Sequence, residues 1–293
     1  MKTIKQIHSL ILMAGVIAFT PACSVKKSAY GDAKTGYKME YRMPKGEPLH
    51  YDLVSEFNSN MKVMGQEFDV ESNARNLFTL TPAGLSNGNN LFNVTIDTVY
   101  MYINSPGGEI VPDMAGIPGS QFLFEVSPKG KEVDCSGAEE LKYKLGESEE
   151  MNLSSDFMTF FPDLPDRPVK PGDRWSNLDT LLEKSSSGFL QFITQNENTI
   201  ESIEPFDGFD CLMIRTTYTG SIHGEGTMQE AETKTSGSIE GEMTWYFAYK
   251  EGRYIKSMTT GRATTKTIAS APGREIEIPS IRDYSIETAL VTD

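Results

Sequence analysis

A two-residue alternation runs through most of this chain. From Leu49 the odd positions include Leu49, Tyr51, Leu53, Phe57, Met61 and Val63, while His50, Asp52, Glu56, Asn58, Asn60 and Lys62 fill most of the even ones. Successive side chains of an extended backbone face opposite ways, so the pattern predicts a long strand with one packed face and one wet face. Met64-Gly65-Gln66 is a turn, Glu67 to Thr81 the hairpin partner, and Pro82 and Asn87-Gly88-Asn89 punctuate the next connection. Leu91 to Ile103 follows as a strand with Phe92, Val94, Ile96, Tyr100 and Tyr102 on one side. The strongest alternation sets Ile239, Gly241, Met243, Trp245, Phe247 and Tyr249 against Glu240, Glu242, Thr244, Tyr246, Ala248 and Lys250. Lys250-Glu251-Gly252 then turns the chain into Arg253 to Thr267, and Glu275 to Val291 supplies the closing strand or pair. Gly137 to Glu150 alone reads as helix, with Leu141, Tyr143 and Leu145 as its apolar contribution. The expected fold is mainly β, a long antiparallel curved sheet or incomplete barrel with one short helix between two halves.

The halves, about 37–136 and 165–293, resemble each other. Met43-Pro44-Lys45-Gly46-Glu47 matches Val169-Lys170-Pro171-Gly172-Asp173, and Asn87-Gly88 matches Asp207-Gly208 ahead of Cys211-Leu212-Met213-Ile214. Phe122-Leu123-Phe124-Glu125-Val126-Ser127-Pro128-Lys129-Gly130 matches Trp245-Tyr246-Phe247-Ala248-Tyr249-Lys250-Glu251-Gly252. Three ordered matches at similar offsets point to a duplicated β-unit, whose copies should pack together because each alone has open edges and one apolar face.

A helix and Pro-rich connector, residues 137–164, joins the halves, and prolines 162, 165, 168 and 171 favour extended, stiff backbone. Two segments are candidates for lining a groove. The loop from Asn104 to Gly119 contributes Met114 and Ile117, and the connector contributes Phe157, Met158, Phe160 and Phe161. They close one end of a curved sheet over a hydrophobic ligand, or they plug the core between the halves. Both readings stay open at this stage.

The N-terminus bears on address. Lys2 and Lys5 precede an apolar run, Ile7 to Phe19, too short to span a bilayer comfortably, so residues 1–22 read as a signal peptide. Thr20-Pro21-Ala22-Cys23 resembles the bacterial lipobox, with Thr20 where a leucine-like residue is usual. The resemblance implies diacylglycerol on Cys23 and a membrane partner reached through lipid rather than through a spanning helix, and the composition of Ser24 to Gly36, rich in Lys, Ser, Gly and Ala, makes residues 23–36 a flexible tether. Ser24-Val25-Lys26-Lys27 lacks the aspartate that retains such lipoproteins at the inner membrane, which implies the outer membrane and a periplasm-facing body.

Charge and residue types narrow the function classes. The formal charge is −14, and loss of residues 1–22 removes two lysines and no acid, so the body is more acidic still. Nucleic acid is thereby excluded as a natural partner. With Cys23 acylated, Cys135 and Cys211 remain as a candidate disulfide or as two buried thiols. His50 and His223 are the histidines after residue 22, without neighbours at metal-ligand spacing, so no metal site is expected. No cofactor motif or nucleophile elbow is present. Asp163, Asp166 and Asp173 are candidates for a carboxylate pair, with solvated surface or turn capping as the plainer reading.

The segment Leu164-Pro165-Asp166-Arg167-Pro168-Val169-Lys170-Pro171-Gly172-Asp173-Arg174-Trp175, with Lys45-Gly46-Glu47 ahead of the first strand, resembles a family of uncharacterised bacterial lipoproteins. That family implies no catalytic residues. The expected function is non-enzymatic: a binding or structural role in the cell envelope, holding a hydrophobic ligand or an envelope partner. The alternatives are an envelope hydrolase using paired carboxylates and an assembly subunit of an envelope complex.

Overall fold

Long β-hairpins, each turning on two or a few residues, generate the architecture. A computed structural model describes residues 29–44, 46–145, 149–228 and 231–292. Cys23, the expected signal peptide and the first part of the expected tether lie outside the described residues. The remainder of the expected tether, from residue 29, is partly ordered: β1 (Gly31–Asp32) and β2 (Gly36–Tyr37) pair as a small ribbon, and Asp32 caps its turn by accepting from the backbone N–H groups of Lys34 and Thr35.

The first half runs β3 (Leu49–Val63), β4 (Gln66–Ser86), β5 (Asn89–Ser105), β6 (Gly108–Ile110), β7 (Gln121–Val126) and β8 (Glu132–Asp134). The middle contributes β9 (Lys142–Leu145), β10 (Glu149–Asn152) and a single helical turn, α1 (Ser155–Met158). The second half runs β11 (Arg174–Ser185), β12 (Gly188–Phe206), β13 (Phe209–Met228), β14 (Ala231–Ala248), β15 (Arg253–Ala271) and β16 (Arg274–Val291). All but the β1–β2 ribbon join one curled antiparallel sheet in the order β8-β7-β5-β4-β3-β16-β15-β14-β13-β12-β11-β10-β9, with β6 beside β5. The first long strand and the last pair in the middle, from Ser280 against Met61 to Val291 against His50. The sheet therefore ends on β8 and β9, which are only 3 and 4 residues long. Short edges give little template for pairing with another chain.

β3 occupies the span that its alternation predicts, and β14 carries its odd residues inward. Three expectations change. The described residues of the 137–150 stretch are not a helix: a 3-10 turn, Ser136–Glu140, leads into the paired β9 and β10, where Tyr143 is buried between exposed Lys142 and Lys144. That is a period of two, and the apolar residues are too few to give a helix a continuous face. Pro82 lies within β4, at a bulge between Pro82 and Gly84, a kind of place where a sheet tolerates proline. Tyr100 and Tyr102 do not share a face with Phe92, Val94 and Ile96. The β4–β5 register slips at Asp97, so Val99, Met101 and Ile103 turn inward and the two tyrosines pair outside, ring centroids 6.1 Å apart. One inserted residue exchanges the faces of everything beyond it.

The paired motifs of the two halves share backbone conformation. Gly46 and Gly172, Gly88 and Gly208, and Gly130 and Gly252 all have positive φ. Asn87-Gly88 and Asp207-Gly208 form the left-handed pairs required by tight two-residue hairpins. In the sheet, β8-β7-β5-β4-β3 and β15-β14-β13-β12-β11 run in the same order.

The concave face is filled at one end. Tyr51, Phe78, Phe92, Phe124, Ile214, Trp245 and Phe247 project from the sheet, and the connector after β10 drops Phe157, Phe160, Phe161 and Leu164 among them. Phe157 lies 5.0 Å from Phe78, 4.9 Å from Phe122 and 5.8 Å from Phe124, ring centre to ring centre, in edge-on contacts. Tyr41 and Tyr51 satisfy their hydroxyls by donating to the carbonyls of Pro162 and Tyr254, at 2.9 and 2.8 Å. The convex face is charged, with ion pairs Asp52–Arg75, Glu201–Arg215, Lys256–Glu287 and Arg262–Asp283 spread across the strands. An outward face meant for lipid carries an apolar band instead. No helix among the described residues is long and apolar enough to cross a membrane.

Candidate functional site

Beyond the aromatic plug the concave face is hollow. A cavity of about 590 Å3, partly open to solvent, lies between the sheet and the β9–α1 region. Most of its wall follows from alternation: Leu53, Ser55 and Phe57 from β3, Ala74 and Asn76 from β4, and Val99, Met101 and Ile103 from β5, with Arg75 and Tyr100 also bordering it. The opposite wall is Asn177, Asp179, Leu181 and Glu183 from β11 with Phe192, Thr194, Asn196 and Asn198 from β12. One wall is thus mostly apolar and the other rich in amides and carboxylates.

A hydrogen-bond chain crosses four strands to reach that polar wall. Trp245 Nε1 donates to Thr216 Oγ1 at 2.9 Å, Thr216 Oγ1 to Asn198 Oδ1 at 2.6 Å, and Asn198 Nδ2 to Asn177 Oδ1 at 2.9 Å. Asn177 Nδ2 then donates to Asp179 Oδ1 at 2.9 Å and to Asp163 Oδ2 at 3.4 Å, and Asn196 Nδ2 donates to Asp179 Oδ2 at 2.5 Å. The direction is fixed from both ends, because an indole can only donate and an ionised carboxylate can only accept. One amide nitrogen therefore tethers two carboxyl groups. Trp175 Nε1 donates to the Asp163 carbonyl at 3.1 Å, holding the connector's backbone in place beside them.

The carboxyl groups titrate abnormally because they are buried together. Asp163 is pushed up to about 6, first by burial and then by the Asp179 charge, with Lys131 and Asn177 opposing. Asp179 is raised by burial against the bonds from Asn177 and Asn196. Glu132, which accepts the Phe161 N–H at 3.3 Å, is pushed up to about 9 by burial, with Asp163 and Asp179 adding to the shift. Asp156 and Glu183, farther along the cavity, are also raised by burial. At the rim, Arg282 Nε donates to Ser59 Oγ at 3.1 Å, and its guanidinium stands 5.7 Å from the Phe57 ring centre. Tyr218 and Tyr284 cover Gly241 and Gly261 from the two flanking strands, their hydroxyls 2.6 Å apart.

Of the six groove candidates, Met114 and Phe160 line the cavity. Ile117, Phe157 and Phe161 are buried in the plug, and Met158 is half-buried on α1. Asp163 lines the cavity, whereas Asp166 is exposed and Asp173 holds the turn after Val169 by accepting from the Lys170 N–H and from Arg167. The partner of Asp163 is Asp179, which the sequence reading did not single out. Its available signal was the run Asn177, Asp179 and Glu183, all of one parity with Trp175. His50 bonds Thr79 Oγ1 at 2.8 Å through its Nδ1 on the wet face. Cys135 and Cys211 are separate free thiols, half-buried and buried; burial pushes them up to about 11 and about 12, which suppresses thiolate chemistry.

No family model and no curated protein matches the chain. Among solved structures, the crystal structure of Pseudomonas aeruginosa OccK11 (OpdR) aligns over 88% of this chain and 100% of that chain at 7% identity, with a TM-score of 0.21. A superposition that loose carries no argument about fold or function.

Proposed function

We propose that this protein is a non-enzymatic cell-envelope lipoprotein that holds an amphipathic small molecule in the hollow of its sheet. The observation that carries the reading is the cavity itself: at about 590 Å3 it falls within the range of small-molecule sites, and it joins an apolar wall to a polar one. A face meant only for stability would be filled along its length, as the plug end is. The leader, Cys23 and the residues after it support an acyl anchor, an outer-membrane address and a periplasm-facing body. The charged convex face suits water and leaves the lipid to the anchor. The matched turns and parallel strand orders support two related halves that build one continuous wall. The test is extraction of the purified full chain followed by mass spectrometry. A stoichiometric amphiphile is expected, and repeated recovery of protein with none would overturn the reading.

One observation favours a second reading. Asp163 and Asp179 are held by one amide in an open hollow, and a carboxyl group pushed up to about 6 can give or take a proton near neutrality. A hydrolase of envelope polysaccharide would release reducing ends from its substrate, and Asp163→Asn or Asp179→Asn would abolish that release. Identical rates in wild type and both variants would remove this alternative.

A further inference from the structure

The cavity contains a polar atom that the surrounding chain leaves unsatisfied. Asn76, on the inward face of β4, is 3% exposed and donates through Nδ2 to Asp156 Oδ2 at 3.0 Å. With Nδ2 on Asp156, the other amide atom, Oδ1, is left outside that bond. Oδ1 is then a buried acceptor with no partner among the described residues, and Asn76 lines the cavity. Such an acceptor is costly unless a donor reaches it.

The charge around this atom is one-sided. Asp156, Asp163, Asp179 and Glu183 all line the same hollow. Arg282 stands at the rim and lowers Glu183, and Lys131 acts on Asp163. Arg75, which also borders the hollow, is exposed and paired to Asp52. In their ionised forms these acids outnumber the cations, so a bound cation would complement the hollow and favour their ionisation. Asn76 and Asp156 line the same cavity, and an occupant that serves both Oδ1 and the Asp156 carboxyl group needs more than one proton to give. A hydroxyl offers one donor, a quaternary ammonium offers none, and a primary ammonium offers three.

We propose that the occupant is an amphipathic primary amine, its ammonium donating to Asn76 Oδ1 and Asp156 and its chain lying along Leu53, Val99 and Met101. This proposal rests on the ligand-binding reading and names the ligand's head. The same geometry disfavours a fatty acid, whose carboxylate would meet only acceptors and like charge at this end.

The test uses the full chain in lipid nanodiscs, titrated calorimetrically near neutral pH with octylamine, 1-octanol and octanoate against empty nanodiscs. Octylammonium is expected to bind at least about tenfold more tightly than octanol, with octanoate weakest. Asp156→Asn should cost octylammonium about tenfold and leave octanol unchanged. Asn76→Ser, which shortens the acceptor, serves as the second variant if Asp156→Asn does not fold, and it should show the same selective loss. Octanol binding as tightly as octylammonium, or variants that weaken both equally, would overturn the amine while leaving the cavity reading intact. No saturable binding by any of the three would overturn both.

Discussion

The two ends of the concave face are built from the same strands and obey different rules. At the plug end the inward residues are large and apolar, and the connector fills the space between them. At the hollow end the inward residues are shorter or polar, and no segment among the described residues fills the remaining volume. Phe78 and Asn76 make the contrast on one strand. Both point inward and both are buried, yet Phe78 touches Phe157 and Phe160 while Asn76 keeps a buried acceptor with no partner among the described residues. Tight packing is concentrated at one end of the sheet and open volume at the other.

The largest expected effect breaks the filled end. Phe157→Ala removes a fully buried ring from between three others and should cost about 3–5 kcal/mol in urea unfolding. A cost near zero would mean that the connector does not anchor the sheet.

Glu132 lies where the two regions meet, and its effect depends on pH. Its folded-state value of about 9 lies above the ordinary 4.5, so the native state holds this proton more tightly than the unfolded chain. The resulting stability is complete below about 4.5 and is lost as pH rises through about 9. Glu132→Gln should therefore raise the urea midpoint at mildly alkaline pH, on the order of 2 kcal/mol, and flatten the pH dependence. A midpoint unchanged at every pH would contradict the burial assigned to this group.

Asn177 ties the polar wall together. Asn177→Ala should cost about 1–2 kcal/mol, because it leaves Asn198 and the carboxyl pair short of partners. It should also raise the titration of Asp163 above about 6, readable by carboxyl NMR, since the Asn177 bond lowers it. The smallest effect separates the ends most sharply. Ala138→Leu, at a fully buried position of the filled region, should destabilise by about 1–3 kcal/mol. Ala263→Leu, buried but bordering the hollow, should cost less than Ala138→Leu, because open volume can take the added atoms. Equal costs would mean that the hollow is as tightly packed as the plug.

Much of the sheet was legible because alternation is a local signal. The bounds of β3 and the inward set of β14 follow directly from which residues can face water. The bulge at Asp97 was not legible, since a register slip is decided by the partner strand, and it reversed the places of Tyr100 and Met101. The β9–β10 pair was misread because four-residue strands give too few repeats to distinguish two periods. The candidate site was half legible. Aromatic residues in the connector marked a place that closes the concave face, but whether each fills or lines the hollow depends on strands far away in sequence. Asp179 reaches Asp163 only through the β11 register, and the unsatisfied Asn76 oxygen exists only once the connector has docked.

The central claim, that one end of the sheet is hollow and receives a ligand, is tested most directly by titrating the full chain with N-phenyl-1-naphthylamine and following its fluorescence. The account predicts saturable binding at one site, abolished by Met243→Trp, which fills the hollow, and unchanged by Leu164→Met in the plug. Fluorescence that never saturates, or that Met243→Trp leaves untouched, would contradict it.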